Sequence, residues 1–241
     1  DKILQGRTYL GIELGSTRIK AVLIDDSFSV IASGSKQWEN RFENGCWTYS
    51  LDDIHGGIQA CYKDLAENVK AQYGIYPETY GAMGISAMMH GYMAFDKNDK
   101  LLVPFRTWRN TMTAQAAGEL TELLGFNIPQ RWSIAHLYQA VLNKEAHVPH
   151  IVYINTLAGY VHKRLTDRFE VGVGEASGIF PVEGIGYKKE YLEPTEKSLA
   201  EKGFDHKLKD ILPAVRNAGE KGAVLTLSLI HISEPTRHLR I

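Results

Sequence analysis

The sequence lacks the features of a membrane protein, a disulfide-rich protein or a nucleic-acid-binding protein. Its two cysteines, Cys46 and Cys61, are too few for a disulfide framework, and no C-x-x-C or His/Cys cluster indicates zinc. No apolar run approaches the roughly eighteen residues of a membrane helix, and residues 1–6 have no signal-peptide core. A net charge of −1 gives no attraction to nucleic acid or to an anionic membrane. We therefore expect a cytoplasmic protein with no nucleic-acid or membrane partner.

Three common catalytic signatures are also missing. There is no G-x-x-x-x-G-K-[ST] loop, which argues against a P-loop ATPase, and no G-x-S-x-G, which removes the obvious class of hydrolase. Gly172, Gly174 and Gly178 form G-x-G-x-x-x-G, which misses the dinucleotide-binding fingerprint by one residue and is typical of a flexible turn. What remains is a chain of ordinary composition that is long enough to bury a sizeable core.

Hydrophobic periodicity predicts an α/β fold. Residues 7–36 contain three short apolar runs joined by brief turns, which predict antiparallel neighbours because a parallel crossover needs about a dozen residues. A long helix is predicted over residues 50–72, with Ser50 as its N-cap and Gly74 at its end. The predicted sheet is mixed, begins with three antiparallel strands and is flanked by helices. Further strands are predicted over residues 80–86 and 91–96, and further helices near residues 112–124, 134–145, 156–165 and 189–203.

The first candidate site is the turn between the first two predicted strands, within residues 11–17. Gly15, Ser16 and Thr17 would expose successive backbone N–H groups and hydroxyls, which suits a phosphate chain. Glu13, at the end of the first strand, could hold a divalent ion that bridges phosphate oxygens. The motif is short, and a plain hairpin with a polar tip explains it equally well.

Three further segments combine polar and aromatic groups that suit a small polar ligand. Residues 89–91 (Met-His-Gly) lie between two predicted strands, where His90 could orient a hydroxyl group. Trp108 and Asn110 offer an aromatic wall and an amide for the apolar face and hydroxyl rim of a sugar. Glu175 adds a carboxylate in a glycine-rich loop. Taken singly, each segment is explained better as a packed loop or a turn than as a site.

Together and in this order, these segments resemble the FGGY family of carbohydrate kinases. Residues 11–17 are similar to the family's opening phosphate motif, which normally has Asp where this chain has Glu13. Met-His-Gly at residues 89–91 resembles the xylulokinase-type members, although Met88 replaces their usual Gln. Further segments resemble those of the family and follow in the same order along the chain: residues 102–110, 175–178 and 212–222.

The resemblance implies a ribonuclease-H/actin-like fold in which two domains close over ATP, Mg²⁺ and a sugar. It implies a kinase that transfers the γ-phosphoryl group of ATP to a sugar hydroxyl, with a pentulose such as D-xylulose as the best guess. In this chain Glu13 would hold the magnesium, and Gly15, Ser16 and Thr17 would cradle phosphate. The residues that would contact the sugar are Met89, His90, Trp108, Asn110 and Glu175.

The likeness spans about residues 8–226, and members of the family are about twice as long as this chain. We predict that residues 7–226 are the family's N-terminal domain, while the C-terminal ATP-binding domain is absent together with the Asp that serves as catalytic base. Residues 227–241 do not extend the preceding pattern and are predicted to be a non-native tail, with a genuine strand and helix as the alternative. The fragment is expected to be inactive alone, with the missing domain as its partner and a homodimer left open.

Two other functions stay open from the sequence. The departures at Glu13 and Met88 also fit an actin-fold ATP-binding or regulatory protein that phosphorylates no sugar. A Gly-x-Gly-Asp motif further along the reading frame would favour the kinase, and its absence would favour the regulator. A purely structural α/β domain without a ligand is the third alternative.

Overall fold

The computed structural model describes residues 2–226, which form two compact units. The first unit comprises the residues up to 40, residues 49–87 and the described chain from residue 225. The second unit comprises residues 41–48 and 88–224. Residues 227–241, predicted to be a non-native tail, lie outside the described residues. Between residues 2 and 226, no helix is both long and apolar enough to span a bilayer.

The first unit is built on a four-stranded mixed sheet with the strand order β3-β2-β1-β6. The three antiparallel strands predicted at its start are present as β1 (Thr8–Leu14), β2 (Arg18–Asp25) and β3 (Val30–Gln37). The fourth strand, β6 (Ala82–Ala87), pairs with β1 in parallel, which the long connection through a helix makes possible. The predicted mixed sheet is thus confirmed.

The crossover helix α1 (Leu51–Tyr73) lies within one residue of its predicted bounds at each end. Ser50 caps its start: the Ser50 hydroxyl accepts a hydrogen bond from the Asp53 backbone N–H at 3.0 Å. The Asp53 carboxylate in turn accepts one from the Ser50 backbone N–H at 3.3 Å, which completes a capping box. Gly74 ends the helix in the left-handed region, with φ 75°.

The core of the first unit lies between the sheet and α1. Alternate side chains of β1 and β2 are buried, as expected for a sheet with one covered face. Helix α1 approaches β3 so closely that a Cβ on Gly34 would overlap the backbone of Leu65, so that only glycine fits there. The principal buried side chains are Leu10, Ile12, Leu14, Ile19, Leu23, Ile54, Cys61, Leu65 and Val69.

The second unit has the fully buried strand β7 (Gly91–Phe95) between β8 (Arg106–Thr107) and β9 (Tyr153–Asn155). Its principal helices pack a large apolar core around this strand, in which Tyr92 and Ala94 take part. The remaining elements are β4 (Arg41–Glu43), β5 (Cys46–Thr48), α2 (Ala114–Leu124), α3 (Ser133–Leu142), α4 (Leu157–Thr166), β10 (Glu170–Gly172), α5 (Val173–Ala176), β11 (Val182–Glu183), β12 (Gly186–Tyr187), α6 (Lys189–Glu201), α7 (Leu208–Ile211) and β13 (Ala214–Arg216).

The four later helices predicted from periodicity are all present, as α2, α3, α4 and α6. The prediction for α3 ran three residues too far, since the helix ends at Leu142. The strand predicted over residues 80–86 begins at Ala82 instead. The β4–β5 hairpin and the other strands of two or three residues were not predicted, because so short a strand carries no periodic signal.

Candidate functional site

The turn between β1 and β2 is held from behind by hydrogen bonds to three successive carbonyl groups. Trp38 Nε1 donates to the Gly15 carbonyl oxygen at 2.7 Å, and the Tyr49 hydroxyl donates to the Ser16 carbonyl oxygen at 2.5 Å. The Trp38 backbone N–H donates to the Thr17 carbonyl oxygen at 3.2 Å. The two aromatic rings stack with their centroids 4.1 Å apart. Residues distant in the sequence therefore fix the turn in one orientation.

These contacts direct the N–H groups of the turn outward. In a trans peptide the C=O group and the following N–H point in opposite directions, and the described peptide bonds are trans. Since the carbonyls of Gly15 and Ser16 point towards the two aromatic residues, the N–H groups of Ser16 and Thr17 point away from them. Neither N–H donates a hydrogen bond to a residue between 2 and 226. Adjacent free N–H groups, flanked by two exposed hydroxyl side chains, can bind an anion.

Glu13 lies on β1 just before this turn, with its side chain 56% exposed. Its Oε2 is 4.0 Å from the Nζ of Lys20, the residue opposite it in β2. Within the described chain, no group of three His, Cys, Asp or Glu side chains could hold a metal by itself. A single open carboxylate still fits Mg²⁺, which retains several waters and takes further ligands from phosphate oxygens. The position of Glu13 is thus compatible with its predicted role.

In the second unit, the loop before β7 meets the loop after α5. A Cβ on Gly178 would overlap the Met89 carbonyl oxygen and lie 2.8 Å from His90 Nδ1. The start of α3 forms hydrogen bonds with both loops. The Ser133 backbone N–H donates to the Gly178 carbonyl at 3.2 Å. The Ser133 hydroxyl donates to the Gly91 carbonyl at 2.5 Å. Two segments singled out in the sequence are therefore neighbours in space.

His90 and Trp108 are brought together by the pairing of β7 with β8. Thr107 lies opposite Gly91 in this antiparallel pair, so that Trp108 leaves β8 where His90 enters β7. Trp108 is 44% exposed and Met89 37% exposed, which gives open apolar surface beside an imidazole. Burial lowers the pKa of His90, and the positive charge of Arg131 lowers it further. A neutral imidazole beside an exposed indole suits a sugar.

Asn110 is buried, and its amide is engaged within the fold. Its Oδ1 accepts a hydrogen bond from the Trp47 backbone N–H at 2.9 Å. Its Nδ2 donates to the carbonyl oxygens of Trp47 and Thr107 at 2.8 and 2.9 Å. Both amide donors are therefore used within the fold, one towards β5 and one towards β8, which argues against the predicted contact of Asn110 with a sugar. The neighbouring Arg109 stacks on the Trp47 ring, with the guanidinium carbon 3.7 Å from the ring centroid.

Glu175 lies in α5 with its carboxyl group enclosed by the second unit. Burial raises the pKa of Glu175 to about 7, and the opposing hydrogen bond with Thr156 has the smaller effect. Its Oε1 and the Tyr187 hydroxyl have no hydrogen-bond partner among residues 2–226. Burial therefore makes this carboxyl group hold its proton to a higher pH than an exposed glutamate does. Its contact with a sugar stays a prediction.

Sequence reasoning missed Trp38 and Tyr49 behind the turn, and Arg131 beside His90. The two aromatic residues lie 23 and 33 positions from the carbonyl groups that they bind, so no local motif connects them with the turn. Arg131 belongs to a loop with no distinctive spacing. Only the fold brings these side chains to the candidate site residues.

The antiparallel start of the sheet and the helical crossover to a parallel strand define an actin-like α/β fold, which this chain shares with solved sugar-kinase structures. The family model for the N-terminal domain of the FGGY family of carbohydrate kinases matches residues 8–232. The chain belongs to this family.

Individual relatives agree with this membership. The chain is similar to the xylulose kinase of Haemophilus influenzae, with 25% identity in an alignment of 231 positions that covers 90% of this chain and 45% of the relative. A gluconate kinase structure from Lactobacillus acidophilus has a TM-score of 0.75 at 18% identity, and covers 94% of this chain and 45% of that one. A xylulose kinase structure from the same organism has a TM-score of 0.73 at 18% identity, with the same coverage. The chain spans less than half the length of these proteins.

Proposed function

We propose that this chain is the N-terminal part of an ATP-dependent sugar kinase, which transfers the γ-phosphoryl group of ATP to a sugar hydroxyl. The observation that carries the proposal is the turn at residues 15–17, with its carbonyl groups tied back and two N–H groups free. Membership of the family supports a carbohydrate as the phosphoryl acceptor. Residues 7–226 would form the N-terminal domain. The ATP-binding domain and the Asp that acts as base are expected in a further part of the polypeptide.

In the first unit, the chain would position a phosphate group and balance its charge. The N–H groups and hydroxyls of Ser16 and Thr17 would donate to phosphate oxygens. Glu13 would hold Mg²⁺ directly or through a water molecule, because Glu reaches further than the usual Asp. When bound, the ion supplies neutralisation of the charge on the phosphate oxygens. Lys20 would be free to approach a phosphate once Glu13 turns towards the metal.

In the second unit, the chain would hold the sugar. Trp108 and Met89 would cover its apolar face. The neutral imidazole of His90, which has one donor and one acceptor nitrogen, would form a hydrogen bond with a hydroxyl group. D-xylulose is the first sugar to test, because the Met-His-Gly segment resembles xylulokinase-type members. The named relatives, which include xylulose kinases, support the same choice.

We also propose a cytoplasmic location. Cys46 and Cys61 are both buried and both free, as a reducing compartment would leave them. Non-reducing electrophoresis of the protein from its native cells should show both thiols unpaired.

Binding and turnover test the sugar-kinase proposal separately. Saturation-transfer NMR on the 241-residue chain should detect D-xylulose, and His90→Ala or Trp108→Ala should abolish the signal. Arg168→Ala, a change at an exposed residue elsewhere in the second unit, should retain it. ADP formation from ATP and Mg²⁺ should require sugar with the complete polypeptide, and should be undetectable with this chain alone. Binding of ATP by the complete polypeptide, without sugar binding or sugar-dependent ADP formation, would favour an actin-fold regulatory protein.

A further inference from the structure

A chain of polar side chains runs through the interior of the second unit, from β8 to the loop after α3. Arg106 on β8 forms a two-point ion pair with Glu145: Nη1 donates to Oε1 at 3.3 Å, and Nη2 donates to Oε2. The two side chains are only 9% and 23% exposed. His147 Nδ1 lies 3.4 Å from the same carboxylate, and His147 Nε2 lies 2.9 Å from the hydroxyl of Tyr92 on β7. Glu145 is thus connected to both β7 and β8.

Helix α3 fixes the position of Glu145. Lys144 follows the helix in the left-handed region, with φ 50°, and the backbone N–H groups of Lys144 and Glu145 both donate to carbonyl groups of the last turn at 3.0 Å. This pattern is a Schellman motif, which gives the chain one defined path out of the helix. At the other end of α3, the Ser133 hydroxyl donates to the Gly91 carbonyl of β7. The helix therefore contacts the strand pair β7–β8 from both of its ends.

The position of Trp108 depends on the side chains around it because β8 is very short. The strand has two residues, which pair with the first two residues of β7, and so short a pairing is weak by itself. Arg106 is the second residue before Trp108. Asn110 is the second residue after it and donates to the Thr107 carbonyl from both its backbone N–H and its amide. The segment that carries Trp108 is therefore anchored by the ion pair on one side and by Asn110 on the other.

Stability alone does not explain a buried ion pair at this place. Removing both charges from water costs about as much as their attraction returns, so that apolar replacement of such a pair is often neutral. An arginine–carboxylate pair does supply orientation, because two parallel hydrogen bonds fix the plane of the guanidinium. The guanidinium also lies over the Tyr92 ring, with its carbon 5.5 Å from the centroid. These contacts fix the side chain of Arg106, and with it the path of β8.

We infer that Arg106 and Glu145 are positioning residues for sugar binding, because their ion pair holds Trp108 in the orientation that presents its ring to the sugar. This inference rests on the proposed sugar-kinase function and adds to it two residues that would not contact the ligand themselves. Loss of the pair should leave the fold intact and allow Trp108 several orientations. Binding would then have to order this segment, and sugar affinity should fall.

A double substitution separates positioning from stability. Arg106→Met/Glu145→Gln removes both charges, while the amide oxygen of Gln can still accept a hydrogen bond from His147. In urea, the 241-residue variant should unfold near the native midpoint. In saturation-transfer NMR titrations, D-xylulose should bind to it about tenfold more weakly, as expected when a side chain and its loop must be ordered on binding. Arg106→Lys keeps the charge without the planar fork and should have an intermediate affinity.

A matched control removes a different ion pair of the second unit. Lys207 Nζ lies 3.0 Å from Glu196 Oε2, and this pair connects α6 with the residue before α7. Lys207→Met/Glu196→Gln makes the same kind of change away from β8. It should leave the affinity for D-xylulose unchanged.

The orientation of Trp108 can also be measured without sugar. Incorporation of 5-fluorotryptophan at the four tryptophans gives four ¹⁹F resonances, and Trp108→Phe identifies the one that belongs to residue 108. In Arg106→Met/Glu145→Gln this resonance should shift and broaden. The resonance of Trp38, which lies in the first unit, should stay where it is.

Native affinity for D-xylulose in the double variant would overturn the inference, and so would a Trp108 resonance identical to the native one. A large fall of the urea midpoint in both the double variant and Arg106→Lys would assign the ion pair to the stability of the fold instead. Failure of the native chain to bind D-xylulose would contradict the proposed function. The ¹⁹F spectrum would still decide whether the ion pair orients Trp108.

Discussion

The two candidate binding regions are built in opposite ways. At the turn of residues 15–17 the binding groups belong to the main chain, and Trp38 and Tyr49 orient them from behind. Around His90 the binding groups are side chains, and a closely packed glycine, Gly178, sets their positions. Ligand binding at the first region should therefore depend most on Trp38 and Tyr49, which would not contact the ligand themselves. The second should depend on exposed side chains and, separately, on the packing beneath them.

The largest effect should come from filling the space at Gly178. Gly178→Ala would push a methyl group into the Met89 carbonyl oxygen and towards His90, at a cost of about 3 kcal/mol in the free energy of unfolding. Urea unfolding measures this cost. Gly174→Ala is the matched control, because no atom lies within 4 Å of its added Cβ. If the two variants unfolded alike, Gly178 would not be what sets the positions of Met89 and His90.

A pH-dependent effect should follow from Glu175. Its folded-state pKa of about 7 exceeds the ordinary value of 4.5, so the folded protein binds more protons and loses stability as pH rises through this window. Glu175→Gln removes the ionisation. The difference in stability between this variant and the native protein should be about 2 kcal/mol more favourable to the variant at pH 8 than at pH 5. Urea unfolding at both pH values measures the gain.

Glu183→Gln, at an exposed position, provides the control for this experiment and should show no such gain. A Glu175→Gln variant whose stability relative to the native protein is the same at both pH values would show that Glu175 is not protonated near neutrality.

A smaller difference in stability is expected between substitutions at Asn110 and at Trp108, which lie in the same motif. Asn110→Ala leaves the Trp47 backbone groups unpaired and should lower the free energy of unfolding by about 2 kcal/mol. Trp108→Ala removes an exposed side chain and should change it by less than about 0.5 kcal/mol, while sugar binding is lost. Urea unfolding and saturation-transfer NMR on both variants measure the two effects. A Trp108→Ala variant as unstable as Asn110→Ala would assign Trp108 a structural role.

The sequence predicted those features whose signal is local. Helix α1 carries its own cap residues and periodicity, and the first three strands carry their own short turns. The difference between Trp108 and Asn110 could not be predicted, since burial of Asn110 follows from its pairing with Trp47, 63 positions away. Strand β5, which holds Trp47, has three residues and no periodic pattern. The enclosed position of Glu175 depends in the same way on tertiary packing.

The most direct test asks whether the free N–H groups of the first turn bind phosphate. A ¹⁵N-labelled chain can be titrated with ATP and Mg²⁺ while its backbone amide resonances are followed, in the native protein and in Tyr49→Phe. Ser16 and Thr17 should show the largest shifts, and loss of the Tyr49 hydroxyl should weaken the titration about fivefold, as expected for one hydrogen bond. Saturation with ATP that shifts other amides and leaves those of Ser16 and Thr17 unchanged would contradict the account.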